Sequence, residues 1–140
     1  MMRFFSLAIT ALATLPALAC KPELPGGKFQ VADGKHYAAA WRTQPETVVI
    51  GKHFTMEIAL CQKDGAAVPE SLRVDAHMPE HRHGMNYKTK VTQAPNAAPG
   101  RYAAEGFLFH MPGRWEYIFE VRAPGHSGTS ERLTTSVVLK

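Results

Sequence analysis

The constraint that most narrows what this chain can fold into is an alternation of apolar and polar residues that returns in segment after segment. It is cleanest in Trp115, Tyr117, Phe119 and Val121, which alternate with Glu116, Ile118, Glu120 and Arg122. Phe54, Met56, Ile58 and Leu60 repeat the pattern against His53, Thr55, Glu57 and Ala59, and Leu72, Val74, Ala76 and Met78 repeat it against Arg73, Asp75 and His77. A period of two places one set of side chains on a buried face and the other on a wet one, which is the signature of a half-buried strand. Weaker runs over 36–42, 87–91, 101–110 and 133–139 read the same way. Lys63-Asp64-Gly65, Asn96 to Gly100, Pro112-Gly113 and Pro124-Gly125 punctuate them with turn chemistry, and Val48-Val49-Ile50 runs into a turn at Gly51. No window beyond residue 19 carries a helical stripe. About seven short strands separated by turns describe an all-β fold, an antiparallel β-sandwich.

The first 19 residues stand apart. Arg3 precedes an almost wholly apolar stretch from Phe4 to Leu18, and Ala17-Leu18-Ala19 has the small-x-small pattern of a cleavage site. The run is short for a membrane span and Pro16 interrupts it, so a signal peptide over 1–19 is expected. Residues 20–35 read as an extended leader with at most one edge strand, and 36–140 as the sandwich domain. Cys20, next after the cleavage site, has two readings. It could carry the lipid of a membrane-anchored lipoprotein, although Ala17 stands where that signal favours a branched residue. It could instead pair with Cys61, the only other cysteine, as two thiols do in an oxidising compartment. The formal net charge of +4 falls by one without Arg3, and the lysines and arginines are scattered. No nucleic-acid partner is expected from so dispersed a charge.

Chemistry concentrates between residues 77 and 85, where three of the seven histidines (His77, His81, His83) accompany Met78 and Met85. His110 and Met111 repeat the pairing just before Pro112-Gly113. Imidazole with thioether suits copper, whereas zinc would more usually recruit cysteine or carboxylate beside histidine. Strand phase sorts the candidates. Met78 shares the apolar phase of Leu72, Val74 and Ala76, and Met111 shares that of Phe107 and Phe109, so both read as core. His81, His83 and Met85 are spaced by two and face one way if the segment is extended. His110 lies opposite Phe109. The preferred ligand set for a copper ion is therefore His81, His83, Met85 and His110, with His77, Met78 and Met111 in reserve. The bland alternative is polar loop residues and core methionines, with Gly84 present because a turn needs its positive φ. His36, His53 and His126 read as isolated and solvated. No nucleophile elbow, phosphate loop or His-Glu-x-x-His helix is present, so no enzymatic activity is expected.

The run Val74 to Met85 contains Met78-Pro79-Glu80-His81-Arg82-His83-Gly84, which resembles the Met-Pro-x-His-x-His-Gly element of exported bacterial YtkA-like domain proteins. The run Gly106 to Glu116 contains Phe109-His110-Met111-Pro112-Gly113-Arg114-Trp115, similar to that family's Phe-x-Met-Pro-Gly-x-Trp turn. The resemblance spans roughly residues 36–140 and rests on two motifs at matching spacing. It implies an immunoglobulin-like or cupredoxin-like sandwich in a small periplasmic or lipid-anchored protein. It marks Met78, His81, His83, His110 and Met111 as family positions, and it associates the broader group with copper handling and with assembly of respiratory or haem enzymes. The expected function is periplasmic copper binding or delivery through a site at one pole of the sandwich. The alternative is a metal-free envelope adaptor that meets an envelope or respiratory-assembly partner through that same pole.

Overall fold

The computed structural model describes residues 20–125 and 130–140. The signal-peptide reading of 1–19 and the solvated reading of His126 lie outside the described residues. Among the described residues nine strands follow one another: β1 (Gln30–Asp33), β2 (Tyr37–Gln44), β3 (His53–Gln62), β4 (Ser71–Met78), β5 (His83–Gly84), β6 (Lys90–Gln93), β7 (Arg101–Leu108), β8 (Gly113–Arg122) and β9 (Ser130–Leu139). They form a five-stranded sheet in the order β1-β2-β3-β7-β6 and a four-stranded sheet in the order β5-β4-β8-β9. Every pairing is antiparallel. This is the all-β sandwich expected from the alternation, with two strands more than the seven expected. The additions are β1, the edge strand allowed for in the leader, and β5, a two-residue return after β4.

The inward phases close on one another. Tyr37, Trp41, Phe54, Met56 and Ile58 from one sheet meet Val74, Met78, Trp115, Tyr117, Phe119 and Val121 from the other in a single buried cluster. Full burial of such side chains stabilises by about 1.5–3 kcal/mol each before chain entropy is counted. The strand expected at 87–91 begins instead at Lys90. The residues before it are used otherwise: the Tyr87 ring packs edge-on against His53 at 4.9 Å, and the Thr89 hydroxyl donates to the Val74 carbonyl. The Val48–Ile50 run forms no strand and leads through a turn to β3.

Strand β7 carries the one break in alternation that matters for the site. Phe54 pairs with Phe107, but Met56 pairs with Ala104, so β7 holds an extra residue. Gly106 accommodates this bulge at φ +94°, where an added Cβ would lie 2.6 Å from the Lys88 carbonyl oxygen. The bulge lets Ala104 and Phe107, three apart, both face the core. Without it, Phe107 and Phe109 would turn outward and His110 inward.

The leader is tied down rather than loose. Cys20 and Cys61 form a disulfide across a sequence separation of 41. Of the two readings of Cys20, the structure holds the disulfide. Just beyond it, Leu24 packs over Ala40 and Ala59 on the outer face of the five-stranded sheet, a second small core. On the opposite sheet, β5 covers only His77 and Met78 of β4. Along the rest of that edge the Val74 carbonyl accepts from Thr89, and the Ala76 amide donates to the Asp75 carboxylate at 2.8 Å.

Two stability outcomes follow. Closing a loop of this length is worth about 3–4 kcal/mol in the chain-entropy account. Reduction, or a paired Cys20→Ser, Cys61→Ser change, should lower the urea-unfolding free energy by roughly that much; a loss below about 1 kcal/mol would mean the leader adds nothing. The Tyr117 hydroxyl is buried without a hydrogen-bond partner, and burial raises its pKa. A raised phenol pKa gives stability that is complete below the unfolded value of about 10 and lost as pH rises above it. Stability should therefore decline above about pH 10, and Tyr117→Phe should remove part of that decline while costing little at neutral pH.

Candidate metal site

The site is built by the turn between β4 and β5 and by the crossing from β7 to β8. The Met78 carbonyl accepts from the His81 amide at 3.2 Å, closing a turn with Pro79 at its second position, where a fixed φ is favourable. Arg82 then adopts φ 55°, a left-handed conformation that non-glycine residues seldom take. Gly84 is not the residue with positive φ, contrary to the bland reading of it. It lies in β5, where an added Cβ would approach the Ala76 carbonyl oxygen at 3.4 Å. Arg82 reverses the chain so that His83 pairs with Met78 and Gly84 with His77. Cross-strand partners share a face, so His83 joins Met78 on the inner side, and His77 is left on the outer one.

Three of the expected ligands come together there. The rings of His81 and His83 lie 5.7 Å apart between centroids, and those of His83 and His110 lie 5.1 Å apart. The buried indole of Trp115 forms the floor, with its centroid 6.0 Å from His83 and 5.4 Å from His110, both rings meeting it edgewise. Trp115 is itself fixed by a stack on Phe109 at 4.3 Å and by donating from Nε1 to the Met111 carbonyl at 3.1 Å. His83 Nδ1 donates to the Gly84 carbonyl at 3.1 Å. A carbonyl can only accept, so in the neutral ring the proton is on Nδ1 and Nε2 carries the lone pair that could ligate. His110 Nδ1 is buried and has no hydrogen-bond partner. An orphaned buried polar atom is costly, and a bound cation is one partner that would relieve it.

The spacing suits pairs. Two imidazoles sharing one ion at metal–nitrogen distances of ~2.0 Å have ring centroids roughly 5–6 Å apart, depending on the angle at the metal. Both ring separations fall in that range. Among the described residues, however, no three His, Cys, Asp or Glu side chains converge as a ready metal site. The row is open, with His83 in the middle.

The remaining expected ligands are placed elsewhere. Met85 is half-buried against the core and lines a cleft of about 550 Å³ beside the β4 edge with Leu72, Val74 and Tyr87. Met78 is fully buried, as its phase implied, and its terminal methyl would lie 2.7 Å from a Cβ added at Gly113. It is the methionine that strand register sets beside His83. Met111 packs partly against the core. His77 pairs through Nε2 with Glu116 at 3.0 Å on the outer face, where Arg114 also holds Glu80 at 3.0 Å. Both carboxylates are thus turned to partners on the outer face. Two histidines read as isolated have partners: His36 faces Glu131 at 3.3 Å, and His53 donates from Nδ1 to the Phe107 carbonyl at 3.2 Å. His53 was legible only through its place at the start of β3, which shares this pole.

Comparison with known proteins adds a family. No curated protein matches the chain. A similar solved structure is that of a DUF4426 family protein from Pseudomonas aeruginosa PAO1, 10% identical, with a TM-score of 0.47, covering 80% of this chain and 96% of that one. The YtkA-like family matches residues 34–120, a span that holds β2 to β7, most of β8 and the whole histidine row. The chain belongs to the YtkA-like family.

Proposed function

We propose that this exported YtkA-like β-sandwich binds one copper ion at its histidine pole and hands it on, without catalysing a reaction of its own. The observation that carries this reading is the position of His83. It has a free Nε2 and lies within ion-sharing distance of His81 on one side and His110 on the other. The donors beside it are the imidazoles of His81 and His110, and the carboxylates of Glu116 and Glu80 are paired with His77 and Arg114. That balance favours a soft ion over a hard one. Both cysteines are in the disulfide, so no thiolate is available for a blue-copper centre, and capture and delivery suit the site better than electron transfer. The disulfide itself accords with an oxidising compartment such as the periplasm.

A metal-free adaptor is the second reading. Val49, which leads into β3, and Tyr87 are about half exposed at the same pole, at 52% and 49%, and offer apolar contact to a protein partner. Copper uptake separates the two. Anaerobic titration with Cu(I) against a chromophoric chelator, and aerobic titration with Cu(II), should each be followed by tryptophan emission, which Trp115 would report. One equivalent should bind, and a His81→Ala, His83→Ala double variant should bind at least a hundredfold more weakly. Unchanged affinity in that variant would reject the site.

A further inference from the structure

We infer that the histidine row is two overlapping sites sharing His83, an inner His83–His110 pair that retains the ion and an outer His81–His83 pair that presents it to an acceptor. The inference rests on the copper reading above and gives each residue a separate part in it.

Among the described residues no three donors converge, so the row offers two imidazole pairs rather than a ready three-imidazole site. Its two spacings differ. The 5.1 Å separation of His83 and His110 fits a bent pair at an ion, and the 5.7 Å separation of His81 and His83 fits a more open one. The environments differ further. His83 and His110 are half-buried and both rings meet the indole of Trp115, whereas His81 is exposed and makes no such contact. Among the described residues the His81 ring has no hydrogen-bond partner, while His83 is oriented by Gly84. A pair walled by a buried indole excludes water and competing ligands on that side, and a pair on the turn is open to both.

Movement between the two is a ligand exchange at His83. The bond from the ion to a His110 nitrogen breaks as a bond to a His81 nitrogen forms, and the bond to His83 Nε2 persists. Cu(I) remains Cu(I), each neutral imidazole gives or regains one lone pair, and no proton or electron is transferred. The acceptor then adds its own donor at the exposed pair. Thioether or thiolate donors are the class that would draw a soft ion away. Arg82, held at φ 55° between His81 and His83, fixes the turn that keeps the outer ring within reach of the pivot.

Single substitutions separate retention from release. The disulfide-bonded protein is loaded with one equivalent of Cu(I) under anaerobic conditions. Its affinity is measured by competition with bathocuproine disulfonate, and transfer to an excess of that chelator is followed by stopped-flow absorbance. His110→Ala should lower affinity at least tenfold. His81→Ala should lower affinity less than His110→Ala does, but slow transfer at least tenfold. His83→Ala should abolish retention. His110→Gln is measured alongside, with circular dichroism on all variants, since the half-buried position is the one most exposed to folding defects. Equal affinity losses in the His81 and His110 variants would show a single three-ligand site and overturn the inference while leaving copper binding intact. Unchanged transfer in His81→Ala would also overturn it. Failure of the unsubstituted protein to take up Cu(I) would overturn the copper reading and this one together.

Discussion

The stack of Phe109 on Trp115, with centroids 4.3 Å apart and planes 15° from parallel, is the contact on which the pole of this sandwich depends. Phe109 belongs to the segment that leaves one sheet, and Trp115 to the strand that enters the other. Their stacking fixes where the chain crosses. Phe54 meets Phe107 and Phe109 at 5.1 Å on one side, and Tyr117 continues the cluster towards Trp41. The Nε1 bond of Trp115 to the Met111 carbonyl then closes the short crossing on itself. Aromatic pairs of this geometry add about 0.5–1.5 kcal/mol each beyond the area they bury. Their larger effect here is positional. The histidines stand on a floor whose own rotamers are locked by packing, the condition under which a binding geometry survives thermal motion.

The same pole shows how a site acquires its chemical character from residues that do not enter it. Glu80 and Glu116 are close in sequence to the candidate ligands, yet both are held on the outer face, by Arg114 and His77. His77 is thereby withdrawn as a donor and two carboxylates are withdrawn with it. What remains beside His83 is imidazole, from His81 and His110.

Much of this was legible from residue order. The alternations over 54–60, 72–78 and 115–121 became β3, β4 and β8 with the expected faces inward, and the phase argument placed Met78 in the core. His81, His83 and His110 were grouped by spacing and phase, and the structure sets the ring of His83 between those of the other two, at 5.7 and 5.1 Å. The misreadings share a cause. Alternation describes a strand against water and core, but not a strand against its neighbour. The bulge at Gly106 exists because of what β3 and Lys88 require of β7, and nothing local to Ala104 or Glu105 announces it. A two-residue strand such as β5 is too short to carry a period. Arg82, not Gly84, took the left-handed conformation because the hairpin register set where the reversal fell. Met85 was grouped with His83 on the assumption of extended chain, but the chain leaves β5 after Gly84 and Met85 follows it to the β4 edge.

That edge has a consequence of its own. Among the described residues no strand is hydrogen-bonded to β4 from Ser71 to Ala76 on the side of β5, and a bare row of amides and carbonyls invites a strand from another molecule. Here two short polar side chains occupy the row: the Thr89 hydroxyl sits on the Val74 carbonyl and the Asp75 carboxylate on the Ala76 amide. An incoming chain would have to displace both before it could form a ladder, and it would meet the charges of Arg73 and Asp75 as it did so. A hairpin left short to shape the histidine pole would otherwise have opened the sandwich to self-association. Two side-chain hydrogen bonds thus cover part of the one edge that the short hairpin leaves unpaired.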